Sequence, residues 1–169
     1  MYQLNPNRDL LVVSKLKTHF LDAVEMQEFK TDMLNITIKK ESIPTILFLL
    51  RDDAELQYNF LTTLCGMHDQ LNNQLGVVYH LHSFLHNHRI RIKTFTSLNE
   101  PTIPTITTIW PAANWMEREA YDFYGIQFEG HPNLKRILNE DEMTDFPMRK
   151  DFPLEDQTRD DKDDSMFGR

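Results

Sequence analysis

The chain predicts an α+β fold: a mainly antiparallel or mixed sheet with helices packed on one face and an extended C-terminal arm. Three observations carry this. Residues 33–39 alternate apolar and polar, and residues 76–84 and 89–96 form two further β-rich runs around a short Leu-His-Asn-His break. Residues 8–24 and 43–51 place apolar side chains at helical spacing. Beyond residue 138 no period survives.

The elements follow in order. In residues 8–24, Leu10, Val13, Leu16 (or Lys17), Phe20 and Val24 form one stripe of an amphipathic helix, on which His19 stands alone as a surface or half-buried side chain. In residues 33–39, Leu34, Ile36 and Ile38 face one way and Asn35, Thr37 and Lys39 the other, the pattern of a half-buried strand. Ser42 is placed to cap the next helix, Pro44 fits its first turn, and it ends near Arg51. Residues 55–69 read as a short helix running into a strand near Leu61–Met67. Residues 76–84 and 89–96 read as an antiparallel hairpin with Ile90, Ile92 and Thr94 on the core face and Arg89, Arg91 and Lys93 on a basic face. Pro101 and Pro104 bracket a connection, and the β-branched run 105–110 is expected to form a short strand. A helix then runs from an Asn114 N-cap to Tyr124, with Glu117 as its capping-box partner and Gly125 at its C′ position. Met116, Ala120, Phe123 and Tyr124 share one side of it. Trp115, Arg118, Glu119 and Asp122 share the other, where Arg118 and Asp122 are spaced to pair. A tryptophan on a charged helix face either folds back or meets a partner.

Composition narrows the class. The chain has 169 residues, 40% hydrophobic and 26% charged, which suits one globular core. Its net charge of −8 is concentrated beyond residue 138, where 11 acidic residues face 5 basic ones. An acidic net charge argues against nucleic acid as the main partner. Cys65 is the only cysteine, so neither an internal disulfide nor a cysteine-ligated cluster is available; its apolar context reads as buried and its compartment as reducing. No apolar run reaches membrane-spanning length and no leader pattern opens the chain, so the expectation is a soluble protein on the cytosolic side. His80, His82, His86 and His88 share parity, but His86 and His88 are expected in a turn. That leaves two ligands where a structural zinc site takes four, and a solvated or interface-facing pair is the better reading. There is no glycine-rich nucleotide loop, no C-x-x-C, no H-E-x-x-H and no recognisable nucleophile motif. Residues 144–155 space Phe146, Met148, Phe152 and Leu154 among charges, as in an arm that orders on a partner.

One stretch is chemically dense. Glu117-Arg118-Glu119, Asp122, Phe123-Tyr124, Gly125-Ile126, Gly130-His131-Pro132, Leu134 and Arg136-Ile137-Leu138 follow one another without a gap. Trp110 to Trp115 precede them, and Arg149-Lys150-Asp151-Phe152-Pro153-Leu154 follow, with Tyr79-His80-Leu81 and His86 to Arg89 upstream. This series resembles the signature of the 30 kDa-type (C-type) subunit of complex I, the proton-pumping NADH:quinone oxidoreductase, over roughly residues 30–155. Where that family has a glycine-rich approach and a leucine, this chain has Thr144-Asp145-Phe146 and Met148.

The resemblance implies a cofactor-free subunit of the peripheral arm, with core 1–138 and a partner-binding acidic extension 139–169. FMN and the iron–sulfur clusters would lie on other subunits. The implied neighbours are the D-type quinone-site subunit and the B- and I-type iron–sulfur subunits, with membrane association only through the assembled complex, at the cytoplasmic side of the cell membrane. The implied scaffold and contact residues are Trp115, Glu117, Arg118, Glu119, Asp122, His131 and Arg136, with Arg149, Lys150 and Phe152 anchoring the arm. No catalytic, cofactor-binding or metal-binding residue is expected. Two rivals stand: the equivalent subunit of a membrane-bound hydrogenase or ferredoxin-fed dehydrogenase, and a stand-alone enzyme using Glu117, Asp122 and His131, which needs one pocket to bring those three together.

Overall fold

The computed structural model describes residues 5–29 and 33–153. Five strands form a mixed sheet in the order β1-β2-β5-β4-β3, from β1 (Val24–Phe29), β2 (Leu34–Ile38), β3 (Phe60–Asp69), β4 (Gln74–Ser83) and β5 (His88–Ser97). Only the β2–β5 contact in it is parallel. Ile36, Ile92, Tyr79 and Leu64 stand opposite one another across four strands, all buried. Against this apolar face pack α1 (Pro6–Phe20), through Val12, Val13 and Leu16, and α2 (Ile43–Asp52), through Ile43, Ile46, Leu47 and Leu50. Each such side chain contributes about 1.5–3 kcal/mol by leaving water. α3 (Ala113–Tyr124) lies against β3, where Gly66 makes room: a Cβ there would sit 2.5 Å from the Tyr124 ring. Two short strands, β6 (Thr102–Pro104) and β7 (Gln127–Glu129), pair in parallel on either side of α3 in sequence.

The expected α+β class, the hairpin and the α2 segment are all present, and the helices share the core face. Several expectations need correction. α1 ends at Phe20 rather than Val24, because a turn closes there with Ala23 N–H donating to Phe20 O; Val24 opens β1, a strand the sequence did not announce. Leu10 is 58% exposed, and the true stripe is Val12, Val13 and Leu16. Residues 55–59 form no helix: Leu56 and Gln57 N–H fold back on Asp53 O, and Gln57 takes a positive φ of 46°. Residues 105–110 are not a strand, since Ile109 and Trp110 N–H both return to Ile106 O in a tight turn. Cys65 is exposed, because Leu64 takes the inward position of this edge strand. His88 is not in the turn but opens β5, buried at 1%, with Asp9 3.0 Å from its Nε2 and the Tyr58 hydroxyl on its Nδ1. That contact ties α1 to the hairpin. Ser42 precedes α2 as expected, but its hydroxyl makes no cap bond.

Candidate functional site

The dense stretch folds as α3 plus the segment that returns over its C-terminal end. The helix begins one residue before the expected Asn114: Ala112 is the N-cap, and no side chain caps it. Glu117 is therefore no capping-box partner. Its carboxylate is fully buried and accepts Ile106 N–H at 2.8 Å and the Thr105 hydroxyl at 2.5 Å. Burial pushes its pKa up to about 7, against the pull of those two donors. His131, its side chain also buried, stands 3.9 Å from the same carboxylate. Asn133 N–H points at His131 Nδ1, which leaves Nε2 as the donor to Asn114 O at 3.2 Å.

The expected Arg118–Asp122 pair does not form. Arg118 turns to the returning chain and donates to Lys135 O at 3.1 Å and Arg136 O at 2.9 Å, with Trp115 stacked 5.2 Å from its guanidinium. Asp122, at 0% exposure, takes Arg136 instead, at 2.8 Å, and accepts the backbone N–H groups of Ile137, Leu138 and Asn139 and the Asn139 side-chain amide. Burial raises its pKa; the N–H groups of Asn139 and Leu138, then Arg136, outweigh that and hold the carboxyl well below the usual carboxylate range.

The C-terminal turn of α3 shows what this arrangement does mechanically. The last four carbonyls of a helix lack intrahelical partners. Here Gly125 N–H, with φ at 75°, serves Tyr121 O; Arg136 serves Asp122 O; Met148 N–H serves Phe123 O; Arg149 serves Tyr124 O. Two arginines thus meet the negative end of the helix dipole. Phe146 lies between them, 5.2 Å from the Arg136 guanidinium and 4.5 Å from that of Arg149. Arg136 also holds Met143 O and Asp145 O, and Lys150 N–H reaches His68. Residues 139–153 are thus pinned to the body, and the division drawn at residue 138 falls inside the Asp122 hydrogen-bond group.

Of the ten residues singled out from sequence, Glu117, Arg118, Asp122, Arg136 and the His131 side chain turn inward onto partners in this chain. Trp115 (61% exposed), Glu119 and Lys150 face outward, and Arg149 and Phe152 are half-buried. The Glu117 and His131 side chains are fully buried, and Asp122 is occupied by Arg136. Sequence reasoning missed Thr105 and Asn139, short polar residues flanking the motif; Phe146, expected to anchor the arm on a partner, instead packs between two arginines of this chain. Among the described residues no cluster of three or more His, Cys, Asp or Glu fits a metal ion.

Fold and site together define a structural module in which a charged motif fixes an arm onto a helix end. The chain matches the family model described as respiratory-chain NADH dehydrogenase, 30 Kd subunit, over residues 36–158, and it belongs to that family. The NADH-quinone oxidoreductase C subunit of Roseiflexus castenholzii is 43% identical over 146 residues, covering 85% of this chain and 83% of that protein. The corresponding protein of Citrifermentans bemidjiense is 43% identical over 150 residues, covering 87% and 91%. That of Sinorhizobium medicae is 46% identical over 128 residues, and there the match spans 63% of the relative's length. Among solved structures, a trypsin-resistant fragment of Nqo5 superposes with a TM-score of 0.62 at 26% identity, over 75% of this chain and 99% of the fragment. A chain of an archaeal membrane-bound sulfane sulfur reductase superposes with a TM-score of 0.73 at 23% identity, over 88% and 86%, which shows a shared fold.

Proposed function

We propose that this chain is a cofactor-free structural subunit in the peripheral arm of NADH:quinone oxidoreductase. It holds neighbouring subunits in place while electrons pass from NADH through FMN and iron–sulfur clusters on other chains to quinone, coupled to proton translocation. The carrying observation is the inward turn of Glu117, Arg118, Asp122 and Arg136: Arg118, Asp122 and Arg136 tie α3 to the returning chain, and all four side chains are buried. Trp115, Glu119, Lys150 and Phe152 are left to meet partners. The expected neighbours are the D-type quinone-site subunit and the B- and I-type iron–sulfur subunits. The chain would sit peripherally on the cytoplasmic side of the cell membrane; none of its described helices is long and apolar enough to cross one. Relatives above 40% identity bear the NADH-quinone name, which favours this reading over a hydrogenase-type complex.

The test is a tagged purification from gently solubilised membranes of cells carrying the wild type or Arg118→Ala. The substitution strips one buried and one part-buried carbonyl of their charged donor, and leaving such a group unsatisfied costs about 1–3 kcal/mol. The wild type should bring down a large assembly with iron–sulfur subunits. The variant should yield less of it, with unchanged turnover per assembled complex. A lone soluble chain from the wild type, or full assembly with lowered turnover in the variant, would overturn the proposal.

A further inference from the structure

Between α3 and β3 lies a cleft of about 240 Å³ that the structural role above leaves unused. Met116, Glu119 and Phe123, spaced i, i+3 and i+7, line it from the helix; Leu64 and Gly66 line it from the strand, and Met148 from the arm. Its walls are fixed by contacts already described. Met148 N–H is held on Phe123 O, and the Tyr124 ring is seated on the bare Gly66. Met148 is 52% exposed, so the cleft is open on the arm side.

Glu119 is the exception to the pattern of the motif. It is exposed, and among the described residues its carboxylate has no hydrogen bond or ion pair, whereas Glu117 and Asp122 are fully partnered. Its charge is felt in the cleft: after burial, Glu119 is the next cause raising the Cys65 thiol pKa, and it adds to the rise at the Tyr124 phenol. A largely apolar cleft that includes a carboxylate with no partner among the described residues complements one kind of group, a long aliphatic stem with a cation at its tip. Such stems bury against apolar walls while the head stays at the polar rim, and Met side chains adapt to the stem's shape. The ring of Phe123 adds a face for the cation. Trp115, exposed one turn before Glu119, gives the same helix a large anchor of the type enriched at interfaces.

We propose that this cleft seats a basic side chain from a neighbouring subunit, its stem against Met116, Phe123 and Met148 and its cation on Glu119. The inference rests on the assembly reading above, and the test separates the two. Met148 is replaced by its photoactivatable diazirine analogue in cells, and the intact complex is isolated before illumination. A chain that does not co-migrate with a large complex refutes the assembly reading. In a chain that does, the cross-link should fall on a peptide of another subunit next to an arginine or lysine. Glu119→Arg should then lower the assembled fraction at least about tenfold, as expected for reversing one member of a desolvated ion pair, while the Tm of the isolated chain stays within about 1–2 °C of wild type because the residue is exposed. Reversing the cross-linked base to Glu should restore assembly. Cross-links only within this chain, a partner peptide lacking a basic residue, or wild-type assembly of Glu119→Arg would each overturn the proposal.

Discussion

Removing Asp122 probes the α3–arm unit most directly. Asp122→Ala deletes the acceptor of five hydrogen bonds, from Arg136, Ile137, Leu138 and two groups of Asn139. It also leaves the Arg136 side chain, 6% exposed, without its counter-charge. Breaking a buried ion pair by removing one member costs about 3–5 kcal/mol. The backbone N–H groups lie nearer the surface and regain water, so the lower half of that range is the better figure, about 3–4 kcal/mol. For a domain of this size that lowers Tm by roughly 6–16 °C. Asp122→Asn keeps the shape but turns an amide N–H₂ toward donors, so it should recover less than half of the loss. The measurement is urea unfolding of both variants and the wild type at pH 7, with Tm as a check. The wild-type advantage should be full above about pH 4 and fade only in stronger acid, because the folded carboxyl titrates below its ordinary value of 3.8. A loss under 1 kcal/mol for Asp122→Ala, or a wild-type-like Asp122→Asn, would refute the claim that this charge holds the arm.

Two further outcomes follow from the same unit. Glu117 titrates in the opposite sense: its folded pKa, about 7, lies above the ordinary 4.5, so its contribution is most favourable below pH 4.5 and is lost as pH rises through 7. That shift corresponds to about 3 kcal/mol; Glu117→Gln should flatten stability between pH 5 and 8 in denaturant titrations, and an unchanged slope would count against it. Gly125→Ala forces a side chain into φ 75°, with its Cβ 2.6 Å from Arg149 and Phe146. It should cost about 1–2 kcal/mol from the backbone alone and speed hydrogen exchange across residues 139–153; unaltered exchange there would show that the arm does not depend on this turn.

The parts legible in sequence were those set by local rules. The α2 boundary follows from Pro44 and the apolar period, and the β4–β5 hairpin from two β-rich runs around a short break, so both lie within two residues of expectation. The motif was equally plain as a pattern of residues. Its orientation was not. The i,i+4 rule paired Arg118 with Asp122, but Arg136, 14 residues downstream, brings a donor plus the three backbone N–H groups that follow it. Likewise Glu117 was assigned to its own helix start, while Thr105 and Ile106, 12 and 11 residues upstream, claim it. Capture of the Ile106 N–H also explains why the β-branched run 105–110 bends into a turn. The parallel contacts β2–β5 and β6–β7 join segments far apart in sequence, and no local signal encodes them.

The shared ownership of the last turn of α3 has a consequence for the order of events during synthesis. When Tyr124 leaves the ribosome, the acceptors at Asp122, Phe123 and Tyr124 have no donors, and the last of these arrives with Arg149, 25 residues later. Until then the helix end frays, and β3 lacks the packed Tyr124 ring that covers Gly66. The sheet and first two helices can condense early, from Pro6 to Ser97, but the C-terminal turn of α3 is completed only when the arm has emerged. A chaperone or partner that met the nascent chain in that interval would find the end of α3 uncapped, and premature termination before Arg149 would leave the Tyr124 carbonyl without its arginine.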